Sequence, residues 1–433
     1  MMQLLTNPAI IGLMVFFGFL ALNVPVFVSI GLAGLMAFVV FEIAPLSVVP
    51  YVFSGSLDSF PLLATPLFII AGNLITRTGI AIKLVRLAEM MLGPLPGGLA
   101  LTVLVTGAVL GSMSGSNIAT VAALSFLVGP MVERGYDRGF AVAVVAAGCT
   151  FGVVIPPSIG FIIYGVITET SIPKLFAAGV GPGLTMLLIL GGYVLFISKK
   201  RGYRGADVEE RNLATFFDAF KDAFWGLMAP VIILGGIYTG IFTATEAAAV
   251  AVVYLFVIDR LVYKQISFAQ LPDVIFESGR TIGVIVLLIA TSAVYGWVMQ
   301  TQGLATMLNN FILDISGGNA ILILLFFNLV LIVSGAFLEP IAAMYLLVPL
   351  FKPTLLAIGF DLVHFGAVLT VNLSMAHLTP PVGVGLFLAS QLGKVPFATA
   401  ARYAIPFVLC EVIVILLVTY VKPISMFLPS LIG

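Results

Sequence analysis

The fold this sequence predicts is an all-α integral membrane protein, a polytopic helical bundle with two inverted repeats. Three observations lead there. Of 433 residues, 61% are hydrophobic and 9% charged, with a mean hydropathy of +1.21, whereas a soluble domain carries about 25% charged residues. Two apolar regions are broken by Gly, Ser, Asn or Glu-Pro before either half is long enough to cross a bilayer. Landmarks also recur at one constant spacing along the chain.

Taken in order, residues 8–22 and 25–40 are spanning candidates. No basic n-region or small-residue cleavage site precedes them, so the first reads as a membrane helix and not a removed signal. Segment 60–75 ends at Arg77-Thr-Gly79, and Lys83 and Arg86 follow on a segment of interfacial character. Residues 99–132 carry no charge and are split by Gly111-Ser-Met-Ser-Gly-Ser-Asn-Ile-Ala-Thr120. Each half is about a dozen residues, short of the roughly 20 that a hydrocarbon core requires. A re-entrant hairpin satisfies this pattern, with its tip buried in protein or lining a cavity.

Segment 139–155 runs into Pro156-Pro157-Ser158 and resumes over 159–167. Segment 176–198 spans and is followed by Lys199-Lys-Arg-Gly-Tyr-Arg204, a cytoplasmic marker. Residues 207–222 form a polar linker, and 223–242, 247–262 and 281–299 span again. The short pair 320–333 and 341–351 flanks Ser334-Gly-Ala-Phe-Leu-Glu339-Pro340, then 365–378 meets Thr379-Pro380-Pro381, and 403–421 closes the chain. The implied organisation is a scaffold over 1–58, a first repeat over 59–198 (hairpin 99–132, broken helix 139–167) and a cytoplasmic linker or surface helix over 199–222. Scaffold helices over 223–279 follow, then a second repeat over 280–433 (hairpin 320–351, broken helix 365–391, final helix).

An offset of 224 residues carries Pro156-Pro157 onto Pro380-Pro381, Gly79 onto Gly303 and Gly135-Tyr-Asp137 onto Gly359-Phe-Asp361. This is the mark of a repeated supersecondary plan. The turn at Gly79 is flanked by Arg77, Lys83 and Arg86, while 296–319 contains no Lys or Arg. Equivalent turns of opposite basic content belong on opposite membrane faces, and inverted repeats with broken helices mark secondary transporters with a site near the midplane.

The breaks also predict ligand chemistry. Each proline removes a helical bond to the carbonyl four residues earlier, which frees the carbonyls of Gly152 and Val153, and of Ala376 and His377. Carbonyl and hydroxyl oxygens suit a hard cation. Two cation sites are therefore expected, one from Ser114, Ser116, Asn117, Gly152, Val153 and Pro156, the other from Ser334, Gly335, Ala376, His377 and Thr379. An anionic substrate is expected at the half-helix N-termini near Asn117 and Pro340, with Glu339 at the second tip. Glu339 has three open roles: cation ligand, proton carrier or cap of the following half-helix.

Other residues read as structural. Cys149 and Cys410 lie in apolar runs and fit small core residues better than a disulfide or metal site. Zero net charge gives no reason to invoke nucleic acid, and no HExxH, Walker or dinucleotide motif implies an organic cofactor. His377 reads as an interior histidine, His364 as a surface residue, and Asp137 and Asp361 as loop caps.

One ordered set of motifs carries a resemblance: Pro66-Leu-Phe-Ile-Ile-Ala-Gly72-Asn, Ser114-Gly-Ser116, Gly135-Tyr136, Ile155-Pro-Pro-Ser158, Ile163-Tyr-Gly165, Ala178-Gly-Val-Gly-Pro-Gly183, Thr245-Glu246-Ala-Ala-Ala and Thr379-Pro-Pro-Val-Gly383. In this order, over nearly the whole chain, they resemble the large membrane subunit of tripartite ATP-independent periplasmic (TRAP) transporters. The resemblance implies a multi-pass protein of the bacterial inner membrane that is not an enzyme. It implies sodium-coupled import of a small organic acid by an elevator motion, with a periplasmic substrate-binding protein and a small four-helix membrane subunit as partners, and lipid around them. It also implies that sodium is the cation of both sites and that substrate lies near Ser116, Asn117, Ser158 and Thr379. Since the chain starts in its own first helix, the small subunit is expected as a separate chain. Some sialate-type members place an arginine shortly after Pro-Pro-Ser; here Ile159, Gly160 and Phe161 stand there, which argues against sialate. Two rivals are a stand-alone divalent-anion symporter that needs no partners, and an intramembrane serine hydrolase pairing Ser114 with His377.

Overall fold

The computed structural model describes residues 7–203, 205 and 212–432. Among them every regular element is helical, and six helices are long and apolar enough to cross a membrane. The basic cluster's Arg204 and most of the polar linker's first residues, 206–211, lie outside the described residues.

Two short helices open the fold, α1 (Pro8–Ala21) and α2 (Val26–Val39), with Asn7 capping the first through the N–H of Ala9 at 2.9 Å. After α3 (Val48–Gly55) come α4 (Ala64–Arg77) and α5 (Ile80–Leu92). Hairpin 1 consists of α6 (Gly98–Ser114), α7 (Asn117–Leu124) and α8 (Val128–Glu133). The broken helix is α9 (Arg138–Cys149), a 3-10 turn over Thr150–Val153 and α10 (Ile159–Thr168), followed by the long α11 (Ile172–Arg201). The middle of the chain supplies α12 (Leu213–Tyr238) and α13 (Ala244–Ile258), each opened by a reciprocal capping box, Asn212 with Thr215 and Thr243 with Glu246.

The plan then recurs. α14 (Leu271–Thr301) and α15 (Leu304–Ser316) lead into hairpin 2, made of α16 (Ala320–Gly335) and α17 (Pro340–Ala357). Next are α18 (Leu362–Ala376), α19 (Val384–Leu392) after the Pro380-Pro381 break, and α20 (Phe397–Tyr420), with a last turn α21 (Pro423–Met426). Gly79 and Gly303 both sit at φ +67 as the residue before a helix. A left-handed conformation there favours glycine over any residue with a Cβ. The Gly79 turn adjoins the start of α14, through Arg77 on Glu277 at 2.6 Å and Asn73 on Ser278 at 2.8 Å. Gly303 directly follows its end. The 31 residues of α14 span about 46 Å at 1.5 Å per residue, so the two equivalent turns lie at opposite ends of the molecule.

The core is built around α9 and α18, whose residues 139–149 and 364–376 are buried throughout. Small residues let backbones meet there, as membrane interfaces require. A Cβ added at Gly111 would stand 2.8 Å from the Cα of Gly152, so α6 lies directly on the break after α9. Several basic residues gather at one end, where Arg201 meets Asp137 at 2.7 Å, Arg86 meets Asp222 at 3.0 Å and Lys83 lies over the Tyr263 ring.

The segment after Gly79 and the stretch 304–316 are both helices, α5 and α15. Other expectations change. The second arm of hairpin 2 is not short: α17 runs for 18 residues through Pro349 and Pro353, because packing in a membrane protein can re-satisfy the bonds a proline forfeits. His364 is not at the surface. It is 3% exposed, and its Nε2 lies 2.8 Å from the carbonyl of Val418. Asp361 does cap, accepting from the N–H groups of Val363 and His364, whereas Asp137 spends its carboxylate on Arg201 and Tyr203.

Candidate functional site

The first tip is tighter than the sequence implied. α6 stays helical through Ser114, and two residues make the whole turn, Gly115 at φ +59 and Ser116 in extended backbone. The N–H of Gly115 bonds back to Gly111, and the Ser116 hydroxyl caps α7 through the N–H of Ala119 at 3.4 Å, a long and weak contact. Ser114 Oγ lies 3.3 Å from both the Ser116 carbonyl and Thr120 Oγ1. Asn117 is 2% exposed. Its amide donates to Ser374 Oγ at 3.4 Å, while its Oδ1 has no partner among the described residues.

The broken helix packs directly on this tip. A Cβ at Gly152 would fall 2.7 Å from Asn117 Oδ1. The structure therefore brings Ser114, Ser116, Asn117, Gly152 and Val153 together. The carbonyl of Val153 is not free, however, because it accepts the Ser158 hydroxyl at 2.7 Å.

At the second tip, Glu339 accepts from the N–H groups of Ile341 at 2.9 Å and Ala342 at 3.4 Å. It is the N-cap of α17, so this half-helix carries its own carboxylate where an anionic substrate was expected. Gly335 packs on Ala376, as the second predicted set requires. The oxygens of that set are engaged: His377 O accepts from the N–H of Leu386 at 2.9 Å and Ala376 O from that of Thr379 at 3.3 Å. The hydroxyls of Thr379 and Ser334 donate to Met375 and Leu331. A local turn at Thr379 satisfies the Ala376 carbonyl, and the folding-back of the chain after Pro381 satisfies that of His377. Ser334 faces a separate apolar hollow beside Leu13 and Phe17.

Both tips open onto one cavity of about 520 Å³. Ser116, Asn117 and Ile118 line it from the first tip and Glu339, Pro340 and Ile341 from the second, with Val153, Gly160 and His377 between them. Ser158, fully buried, and Thr379 do not reach it. The opposite wall is α14, through Glu277, Arg280, Thr281, Val284 and Leu288. These positions share one helical face by their three- and four-residue spacing. Arg280 was not among the expected site residues. A charged pair three residues apart at the mouth of an apolar helix was the available signal.

A second missed residue is Glu411, fully buried in α20, whose Oε1 lies 2.6 Å from Thr150 Oγ1. A lone carboxylate within the apolar run 397–420 was enough to flag it. The proposed hydrolytic dyad does not form: Ser114 Oγ is engaged by Ser116 and Thr120, and His377 Nδ1 has no partner among the described residues.

Residues 13–424 match the family described as "Tripartite ATP-independent periplasmic transporter, DctM component". The chain belongs to this family. DctM-family relatives are similar along nearly all of it. The isethionate TRAP transporter permease protein DctMQ of Oleidesulfovibrio alaskensis is 41% identical over 94% of this chain, which spans 64% of that protein's length. The C4-dicarboxylate large permease DctM of Pseudomonas aeruginosa is 34% identical over 94% of both chains, and the sialic acid large permease SiaM of Vibrio cholerae 36% identical over 87% of this chain and 88% of its own. These relatives are named as permeases, and the DctM chain is accordingly a transporter subunit and not an enzyme. Among solved structures, the YdaH transporter of Alcanivorax borkumensis is similar at a TM-score of 0.61 and 15% identity, covering 87% of this chain and 88% of its own. MtrF of Neisseria gonorrhoeae follows at 0.55 and 14%, covering 92% and 85%. At such identities the likeness is one of fold.

Proposed function

We propose that this DctM chain is the translocating subunit of a sodium-coupled importer of a small organic acid in the bacterial inner membrane. A periplasmic binding protein would deliver the acid, and a small four-helix membrane subunit would complete the transporter. The observation that carries this reading is the single cavity shared by both broken tips and the first Pro-Pro break. Equivalent turns at opposite ends of α14 support inverted repeats, and with them an elevator motion of the hairpin-bearing part against α14 and its neighbours.

The oxygens at the first tip fit a sodium ion. Asn117 Oδ1 is buried and has no partner among the described residues, a neutral oxygen of the kind hard cations take; the neighbouring Ser116 carbonyl already accepts from Ser114 and Thr120. A bound cation there would add a positive charge at the tip, favourable to an anion on the cavity side. The second predicted set offers no comparable orphaned oxygen, and we propose one site, not two, from the predicted residues. The three relatives above are named for isethionate, C4-dicarboxylates and sialic acid, all acids, which supports an organic anion as cargo.

The test is uptake into proteoliposomes holding this chain and its small subunit, with the binding protein outside and an inward sodium gradient imposed or omitted. Uptake that requires both, and weakens in Ser116→Ala, is the expected result. Uptake without the binding protein would turn the assignment to a stand-alone symporter, and indifference to sodium would remove the ion site.

A further inference from the structure

We propose that Arg280, on the wall facing the hairpins, is the cationic anchor for the acid group of the transported anion. Among the described residues it is the one Lys or Arg that lines the cavity, and it makes no ion pair with any described carboxylate. Its neighbour on the same face, Glu277, would ordinarily compete for it at a spacing of three residues. Here that carboxylate is held by Arg77 of α4 at 2.6 Å, so the guanidinium of Arg280 stays available.

The rest of the cavity leaves this role open. Glu339 already occupies the N-terminus of α17, and no Lys or Arg stands between the Pro156-Pro157-Ser158 break and Lys174. The first tip, where Ser116 caps α7 only through a 3.4 Å contact, offers backbone N–H groups to one end of an anion. Arg280 offers a planar fork to the other, suited to two oxygens of one carboxylate or sulfonate. This pair spans the cavity between the hairpin and α14. In an elevator the two walls slide apart, so an anion held by both is bound in this state and loosened when the hairpin moves away from Arg280.

The inference rests on the organic-anion reading above. It is tested by calorimetric titration of succinate, and separately of isethionate, into the purified chain with its small subunit in sodium buffer. Arg280→Gln is expected to weaken whichever anion binds by about tenfold or more, the range of a hydrogen bond to a charged group, and Arg280→Lys to recover part of it. Arg77→Gln, which removes no cavity-lining group, is expected to weaken binding too, by releasing Glu277 onto Arg280. Arg77→Gln with Glu277→Gln is expected to restore it. Arg280 is exposed, so unfolding temperature and elution profile should match the wild type. Wild-type affinity in Arg280→Gln would overturn the proposal, as would loss in Arg77→Gln that the second substitution fails to repair. If neither anion binds the wild type, the organic-anion reading falls first, before any variant is compared.

Discussion

Ser374 donates its hydroxyl to the backbone carbonyl of Thr150, and 224 positions separate the two. That is the spacing that carries Pro156-Pro157 onto Pro380-Pro381. Equivalent positions of the two repeats thus touch at the centre of the molecule, where the buried helices α9 and α18 end. The contact extends in both directions. Asn117 of the first tip donates to Ser374 Oγ, and Thr150 Oγ1 meets Glu411. One polar path therefore joins a carboxyl deep in α20 to a residue lining the cavity.

The hydroxyl of Thr150 has a single hydrogen and two acceptors in reach, Glu411 Oε1 at 2.6 Å and the Ala147 carbonyl at 2.8 Å. A side chain at 411 that donates to Thr150 lets Thr150 donate to Ala147, and an amide can do so. Glu411→Gln is accordingly expected to leave the unfolding temperature within a few degrees of wild type. Glu411→Ala opens a cavity in the buried core, and should destabilise by roughly 2–5 kcal/mol. Thermal unfolding in detergent separates them, and equal losses from both would show that the carboxylate itself is needed.

Gly152 should tolerate no side chain. A Cβ there would stand 2.7 Å from Asn117 Oδ1 and 2.9 Å from the Asn117 backbone nitrogen, and backbone cannot rotate aside. Gly152→Ala is expected to push hairpin 1 off the broken helix, raising the sodium concentration for half-maximal uptake by about tenfold, with a stability loss of about 1–3 kcal/mol. An unchanged sodium dependence would place the cation elsewhere.

How legible these features were depends on the range of the interactions that make them. The breaks at Gly115-Ser116 and Pro156-Pro157 are local chemistry, glycine, capping serine and imino acid, and could be read directly. The recurrence of Gly79 at Gly303 needed only arithmetic. The carbonyls of Ala376 and His377 were expected to be free because a proline forfeits a local bond. Thr379 satisfies the first through a local turn, and Leu386 satisfies the second by how the chain folds back beyond Pro381, which no local rule contains. Arg280 escaped notice for a related reason. Its availability depends on Arg77, 203 positions earlier, holding Glu277 aside.

Glu339 offers a choice between cap and ligand. Its bonds to Ile341 and Ala342 favour the cap, and Glu339→Ala should then cost about 1 kcal/mol, with Glu339→Asp recovering most of it. Sodium activation should change little in either variant. A large rise in the sodium requirement of both, at near-normal stability, would instead make Glu339 a cation ligand.

Asn117 gives the sharpest separation of the two ligands, because one substitution should move them in opposite directions. Its Oδ1 is buried with no partner among the described residues, while its backbone opens the half-helix whose first residues line the cavity. Asn117→Asp keeps an oxygen at the cation position and adds a negative charge, which strengthens attraction for a cation. The same charge offsets the positive end of α7 and repels an incoming carboxylate. Sodium is therefore expected to activate at several-fold lower concentration, while the substrate concentration for half-maximal uptake rises by about tenfold. Asn117→Ala removes the oxygen and should weaken sodium activation with a smaller effect on the anion. If Asn117→Asp weakened both ligands equally, the tip would be a packing element whose disturbance is general. A shift of the anion alone would keep the half-helix as its site and remove Asn117 from the sodium shell.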